Sequence, residues 1–528
     1  PYEVVDSEKH RLLALEAARK SIVLLKNEAK ILPLSKSLKK IAVIGSNADD
    51  LEVLLGNYNG YPSSPITPLK GIQNKLPNAE VSYAAGCKLA DGLPLFESIP
   101  GSVLFTDKTL KANGLKASYF ANEALEGEPA IERIDKDVNF IWRTESPGTG
   151  LNNDVFSVKW TGYLSVPESG SYALGGEAFS GMKLYLNDTL IVSREDVHHP
   201  RKEYEYVSLK AGEAYKIDLE YKQKNTDYAI MRLLWEKPDE HLQNEALKIA
   251  KEADVVIMCM GLSPLLEGEE MKVKVDGFSG GDREHTDLPL SQISLMKKIK
   301  ELGKPMVLVL LNGSAVSVNW ENENIPAIIE AWYPGQAGGT AIADVLFGDY
   351  NPAGRLPLTF YKSINDIPEF SDYDMKGKTY RYFEGKPLYE FGYGLSYSKF
   401  AYKNFEIPSQ INTDQKIEVS VDVINTGEFD GDEVTQLYVI RKEGHVNNPK
   451  KTLVGFQRNY LKKGETKKVK FTINALQLAQ VNETLQQVVS AGDIEISVGG
   501  MQASEKSLRE KAVIKKQVKI IGQDFKIN

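Results

Sequence analysis

Residues 254–261 read DVVIMCMG, a short apolar run closed by a glycine. A strand with one face in water alternates apolar with polar residues. An unbroken apolar run suits a strand covered on both faces, as in parallel sheets. The pattern recurs outward in both directions, at 39–46 (KKIAVIGS), 81–86 (VSYAAG), 305–313 (PMVLVLLNG) and 327–332 (AIIEAW). Helical patterns lie between these runs, at 246–253, ahead of Pro305 and at 338–347. Strands alternating with helices predict an α/β sandwich domain with a mostly parallel sheet, assembled from residues 1–93 and 241–360.

Between those halves the period changes. Residues 94–240 contain FSVKWTGYLSVP, GSYALGGEAF, MKLYLNDTLIVS and AYKIDLEYKQ, short alternating strands separated by Gly, Asn-Asp and Pro-Glu-Ser-Gly turns. This predicts an all-β sandwich interrupting the α/β domain. A connector rich in aromatics and glycine covers 361–398. From 399 to 528 a second β region with longer strands and a tail predicts an immunoglobulin-like β-sandwich.

The chain has 528 residues, 42% of them hydrophobic and 26% charged, with a net charge of −8. Its only basic clusters are short, such as Lys36, Lys39 and Lys40, so neither nucleic acid nor an anionic membrane is an expected partner. No apolar run approaches the ~20 residues that span a bilayer. Two cysteines, Cys87 and Cys259, are too few for a disulfide framework or a zinc site and read as buried thiols in strand-like stretches. No histidine has metal-ligand spacing, and His198 and His199 sit together in the β insert. No cofactor or metal is expected. The chain opens on Pro1, and an amphipathic pattern follows at once through Leu12, Leu13, Leu15, Ala18, Ile22, Val23 and Leu25, with Asp6-Ser7-Glu8 as its start. That opening predicts a packed helix and suggests a piece of a longer protein.

Chemistry in an open α/β sheet belongs beyond the carboxyl ends of the strands. About 27 residues separate the strand ending at Gly261 from the next helix, against a usual ~2–6. They include Glu267, Glu269, Glu270, Asp276, Asp282, Arg283 and Glu284. Two readings stand. The run is either a solvated acidic loop, which composition favours, or the source of a carboxylic acid able to protonate a leaving oxygen. The D-x-D-x-D-G register of a calcium loop is missing, as are the phosphate-loop glycines and a G-x-S-x-G turn.

Several longer stretches carry a resemblance. ARKSIVLLKNE (18–28), GNYNGYPSSPITPLKGI (56–72), EADVVIMCMGLSPLLEGEE (252–270), GGDREHTDLPLSQ (280–292), the run from WYPGQAGG to LPLTF (332–360) and YRYFEGKPLYEFGYGLSY (380–397) resemble glycoside hydrolase family 3. The last β region resembles the fibronectin type III-like domain of that family, and the insert the protective-antigen-like β-sandwich of some members.

The resemblance implies a retaining, exo-acting β-glucosidase or β-xylosidase. An aspartate on an N-terminal (β/α)8 barrel would attack the sugar, and a glutamate from the loop at 266–283 would act as general acid/base. Glu267 matches that glutamate because it carries the E-G pair, with Glu270 and then Glu269 as alternatives. An extra stretch, 271–279, separates EGEE from GGDR. Asp282 and Arg283 are expected to hold the loop by an ion pair. The chain contains no eight-fold βα series, so the nucleophile and barrel are expected from elsewhere, and the isolated chain is expected to be inactive. The expected substrate is a β-linked oligosaccharide or glycoside, and the expected location periplasmic or extracellular. Trp332 and Tyr333 read as core packing or a domain contact, and the insert's loops near 176–181 and 198–201 as the places to look for sugar binding. The competing function is a non-catalytic carbohydrate-binding or scaffolding protein.

Overall fold

The computed structural model describes all residues except 1–3, 61, 143–145, 196–200, 225–228, 270, 272, 442–447 and 528. The chain divides into two units, residues 93–244 and residues 1–92 with 245–528.

The larger unit is built on a six-stranded sheet. Its strands are β1 (Val23–Asn27), β2 (Lys40–Ile44), β3 (Glu80–Ala84), β4 (Val255–Gly261), β5 (Met306–Leu311) and β6 (Ala327–Glu330), in the spatial order β1-β6-β5-β4-β2-β3. The four pairs from β6 to β3 are parallel, and β1 pairs antiparallel with β6. Every residue of β4, β5 and β6 is buried, which explains their uninterrupted apolar sequence. Helices α1 (Glu8–Ser21), α2 (Pro68–Lys75), α3 (Asp239–Glu252), α4 (Leu290–Glu301), α5 (Asn319–Asn324) and α6 (Gly338–Leu346) accompany the sheet. One apolar cluster joins Ile41, Val43, Ile257, Val309 and Ile329 of the strands to Ile72 of α2 and Ile342 and Val345 of α6.

The N-terminal expectation needs correction. The apolar pattern is two elements: α1 stops at Ser21, and Val23–Asn27 is a strand. Only Ala18 of α1 is buried, while Leu12 and Leu13 are 61% and 58% exposed. The helix is fixed by charge as much as by apolar contact. Arg19 of α1 and Lys75 of α2 both pair with Asp344 of α6, whose side chain is almost fully buried. The Leu-Leu-Lys-Asn run takes strand geometry because Ala327–Glu330 offers it an edge to pair with.

The C-terminal sandwich packs a three-stranded sheet (Phe400–Glu406, Ile417–Asn425, Thr466–Ile473) on a five-stranded one that includes Gly431–Arg441 and Gly492–Gly499. Alternate residues point inward, so Val419, Val421 and Val423 meet Leu437, Val439, Ile496 and Val498.

The smaller unit is a sandwich of a five-stranded and a seven-stranded sheet, antiparallel throughout. Trp160, Phe156, Tyr221 and Trp235 lie in its core. Its entry and exit segments are paired, Glu97 lying opposite Trp235. Cys87 and Cys259 are free and buried, and burial pushes both thiols up to about 12. Cys259 lies in β4, whereas Cys87 follows β3 rather than lying in a strand. Among the described residues no helix is long and apolar enough to cross a membrane.

Candidate active site

Three neighbouring parallel strands, β4, β5 and β6, end at Gly261, Leu311 and Glu330, and the loops that follow converge on one carboxylate. Glu267, in the loop after β4, accepts hydrogen bonds at Oε1 from the Gly313 backbone N–H at 2.7 Å and the Tyr333 hydroxyl at 2.6 Å. Its Oε2 accepts from the Ser314 hydroxyl at 2.5 Å. Gly313 and Ser314 follow β5, and Tyr333 follows β6. Among the described residues every hydrogen-bond partner of the carboxylate is a neutral donor, in contrast to a solvated surface glutamate tied to a lysine.

The loop backbone is braced from two directions. Asn57 Nδ2 donates to the Glu267 carbonyl at 2.9 Å. The extra stretch beyond Glu267 folds as a three-stranded meander, Lys274–Val275, Phe278–Ser279 and Asp282–Arg283, that returns the chain to its start. Gly268 N–H donates to the Gly281 carbonyl and Met271 N–H to the Gly280 carbonyl. Only glycine closes this turn. Gly281 has φ of +94°, and a Cβ there would lie 2.0 Å from the Gly268 carbonyl oxygen.

Arg283 does not pair with Asp282, which is exposed. Adjacent strand residues point to opposite faces, so the two side chains diverge. Instead Arg283 Nη1 donates to Ser314 Oγ at 2.9 Å and to the Ala315 carbonyl at 2.5 Å. Its Nε and Nη2 are buried with no hydrogen-bond partner among the described residues. Burial pulls the guanidinium below its ordinary value, while the nearby Glu267 charge opposes that shift.

A second carboxyl lies behind the first. Glu330, the last residue of β6, is fully buried and accepts from the Trp332 N–H at 3.0 Å and Asn312 Nδ2 at 3.1 Å. Burial raises it to about 8, and the Glu267 charge adds to the shift. Asn312 also donates to the Ser314 carbonyl, so one short loop, 312–314, touches both glutamates.

The other sequence candidates separate. Glu269 is exposed and accepts a hydrogen bond from the Tyr58 hydroxyl. Asp276, Asp282 and Glu284 are exposed on the meander. Glu270, His198 and His199 lie outside the described residues. Trp332 packs, with its ring edge-on to Phe360 and its Nε1 donating to the Ser21 carbonyl. Tyr333, read from sequence as packing, holds Glu267 instead. The only sequence signal for it is its place directly after a strand. Ser314, which donates to Glu267, and Arg283, which donates to Ser314, are likewise invisible in these roles until the strand ends are brought together.

Comparison with known proteins places these features. Residues 22–397 match the glycosyl hydrolase family 3 C-terminal domain, and residues 433–502 match the fibronectin type III-like domain. A protein of Xylanibacter ruminicola named xylan 1,4-beta-xylosidase is 37% identical over 476 residues, 88% of this chain and 53% of its own length. The periplasmic beta-glucosidase of Salmonella typhimurium is 29% identical over 94% of this chain and 49% of its own. The crystal structure of beta-glucosidase from Kluyveromyces marxianus in complex with glucose matches 99% of this chain and 63% of its own, at 28% identity and a TM-score of 0.72. The chain therefore spans about half to two-thirds of the length of these relatives. With its family match running from β1 through the connector, the chain belongs to glycosyl hydrolase family 3, and it carries that family's C-terminal domain together with the fibronectin type III-like domain.

Proposed function

We propose that this chain supplies Glu267 as the general acid/base of a retaining β-glycosidase acting on β-glucosides or β-xylosides. The carrying observation is the convergence of three strand-end loops on the Glu267 carboxylate, with no lysine or arginine directly paired to it among the described residues. The nucleophilic carboxylate comes from an N-terminal barrel, in the same protein or a separate chain, set about 5–5.5 Å from Glu267. In the first step Glu267 gives its proton to the glycosidic oxygen as the nucleophile bonds to the anomeric carbon. In the second it takes a proton from water as that water displaces the nucleophile. The names of the relatives support glucosides and xylosides as substrates, and the Salmonella relative supports a periplasmic location.

The test uses the barrel-containing protein. Glu267→Ala should lower turnover on poor leaving groups by ~10²–10⁴-fold. Azide should restore turnover on dinitrophenyl glycosides, where no acid is needed. This chain alone should not turn over aryl β-glucosides or β-xylosides. Undiminished turnover by Glu267→Ala, or robust turnover by this chain alone, overturns the reading. Retained sugar affinity without any loss of that kind would favour a binding module.

A further inference from the structure

A cavity of about 380 Å3 opens in the larger unit, with one wall from the loop after β5 and the rest from residues 357–391. Its lining is mostly apolar, and the rings of Tyr361, Tyr380 and Phe391 contribute to it. Tyr380 and Phe391 stack with their centroids 4.0 Å apart. Most polar side chains on the lining are engaged elsewhere. Ser317 Oγ donates to the Tyr361 carbonyl at 2.9 Å, which leaves Thr286 Oγ1 to donate to Ser317 Oγ at 2.6 Å. The Tyr361 hydroxyl accepts from the Thr379 N–H at 3.0 Å, and the Tyr380 hydroxyl from the Leu453 N–H at 3.1 Å. Thr379 Oγ1 accepts from the Arg381 N–H at 3.3 Å. Two polar atoms are left over. Thr359 Oγ1, on a residue only 6% exposed, and Arg381 Nε are both buried with no hydrogen-bond partner among the described residues.

Buried polar groups are nearly always paired, so two orphans on one apolar cavity mark a place for a partner. The guanidinium N–H can only donate, and the threonine hydroxyl can donate beside it. No carboxylate lies on the lining, so the charge of Arg381 is unanswered there. An anion with paired oxygens meets both donors, and walls of aromatic carbon suit a ring attached to it. We propose that this cavity binds a small aromatic carboxylate, its ring against Tyr361, Tyr380 and Phe391 and its oxygens taking hydrogens from Arg381 Nε and Thr359 Oγ1. The site shares a loop with Glu267. Ser314, which donates to Glu267, directly precedes Ala315 of the cavity wall, and Arg283 Nη1 donates to both the Ser314 hydroxyl and the Ala315 carbonyl. The proposal goes beyond the acid/base reading and does not rest on it.

The experiment titrates this chain with 3-phenylpropionate by calorimetry. One equivalent should bind with a Kd of ~1 mM or tighter. The neutral 3-phenylpropionamide keeps the ring and loses the charge, and it should bind at least about tenfold more weakly. Acetate keeps the charge and loses the ring, and it should not saturate. Arg381→Met should weaken 3-phenylpropionate at least about tenfold, and Thr359→Val about threefold. Ile367→Trp, which fills the cavity, should abolish binding. Thermal melting confirms that each variant is folded, and the comparison of acid with amide needs no variant at all. Absence of saturable binding by the parent chain overturns the proposal. So does an amide that binds as tightly as the acid, or parental affinity in folded Arg381→Met or Ile367→Trp. None of these readouts involves turnover, so failure here leaves the role of Glu267 to its own test.

Discussion

Arg355, in the loop beyond α6, reaches Glu433 of the C-terminal sandwich at 2.8 Å, and the two side chains are only 10% and 4% exposed. The pair is fully furnished. Arg355 also donates to the carbonyls of Gly500, Ala353 and Gly354, and Glu433 accepts the Tyr402 hydroxyl at 2.6 Å. A buried charge pair is costly to half-remove because the survivor keeps its desolvation penalty. Glu433→Ala should therefore lose ~3–5 kcal/mol in urea denaturation. The double change to Arg355→Met and Glu433→Leu should lose less than the single one. A single variant of wild-type stability would show that the pair is open to water.

Glu330 predicts a pH dependence of stability. Burial raises its carboxyl from the ordinary 4.5 to about 8. Between those values the folded protein holds a proton that the unfolded chain has lost, so stability falls as pH rises through this window, by up to ~1.4 kcal/mol per pH unit. Glu330→Gln removes that contribution. Its urea midpoint should exceed the parent's at pH 8 and approach it at pH 5. Parallel midpoint curves for the two proteins from pH 5 to 9 would contradict this.

Gly281 offers a test of the proposed role of Glu267 that leaves the main fold intact. A methyl group at this position meets the Gly268 carbonyl, next to Glu267, in a loop outside the main sheet. Gly281→Ala should keep a near-parental melting temperature, while turnover of phenyl glycosides by the barrel-containing protein falls up to ~100-fold through displacement of Glu267. Equal activity would mean that the meander does not set the position of the proposed acid/base, Glu267.

In the β insert, Asp135 carries a buried network. Its Oδ2 accepts from the Tyr119 hydroxyl at 2.6 Å and Trp160 Nε1 at 2.8 Å, and its Oδ1 from Arg133 Nε at 2.6 Å. Asp135→Ala leaves two buried donors, the Tyr119 hydroxyl and Trp160 Nε1, without this acceptor, while Arg133 is exposed and keeps other partners. Each stranded donor costs ~1–3 kcal/mol, so the change should open this unit to limited proteolysis. Cleavage within residues 93–244 at the parental rate would refute it.

What the sequence made legible follows from how local each signal is. The strands at 254–261 and 305–313 are readable because double-sided burial leaves an unbroken apolar run. The long polar loop after the first was readable too, but composition favoured a solvated loop, and Glu267 was singled out within it only by the E-G pair of the family resemblance. The strand Val23–Asn27 was not separable from the helix before it. Its sequence suits either element, and the deciding partner, Ala327–Glu330, lies some 300 residues away. Tyr333, Ser314 and Arg283 escaped for the same reason: their roles come from three strand ends meeting in space. The expected Asp282–Arg283 pair failed on strand geometry, which turns neighbouring side chains apart.

The pairing of Glu97 with Trp235 has a consequence for how the protein is made. The smaller unit leaves and rejoins the chain as adjacent antiparallel strands, so once it has folded it holds its two ends together. On a ribosome, β2 and β3 emerge well before β4, and the Ile41–Val255 contact closes a loop of more than two hundred residues. Folding of the insert ahead of the larger unit would contract that loop to a short tether, easing a long-range parallel pairing that would otherwise be slow. The interruption thus shortens the search that the interrupted domain must make.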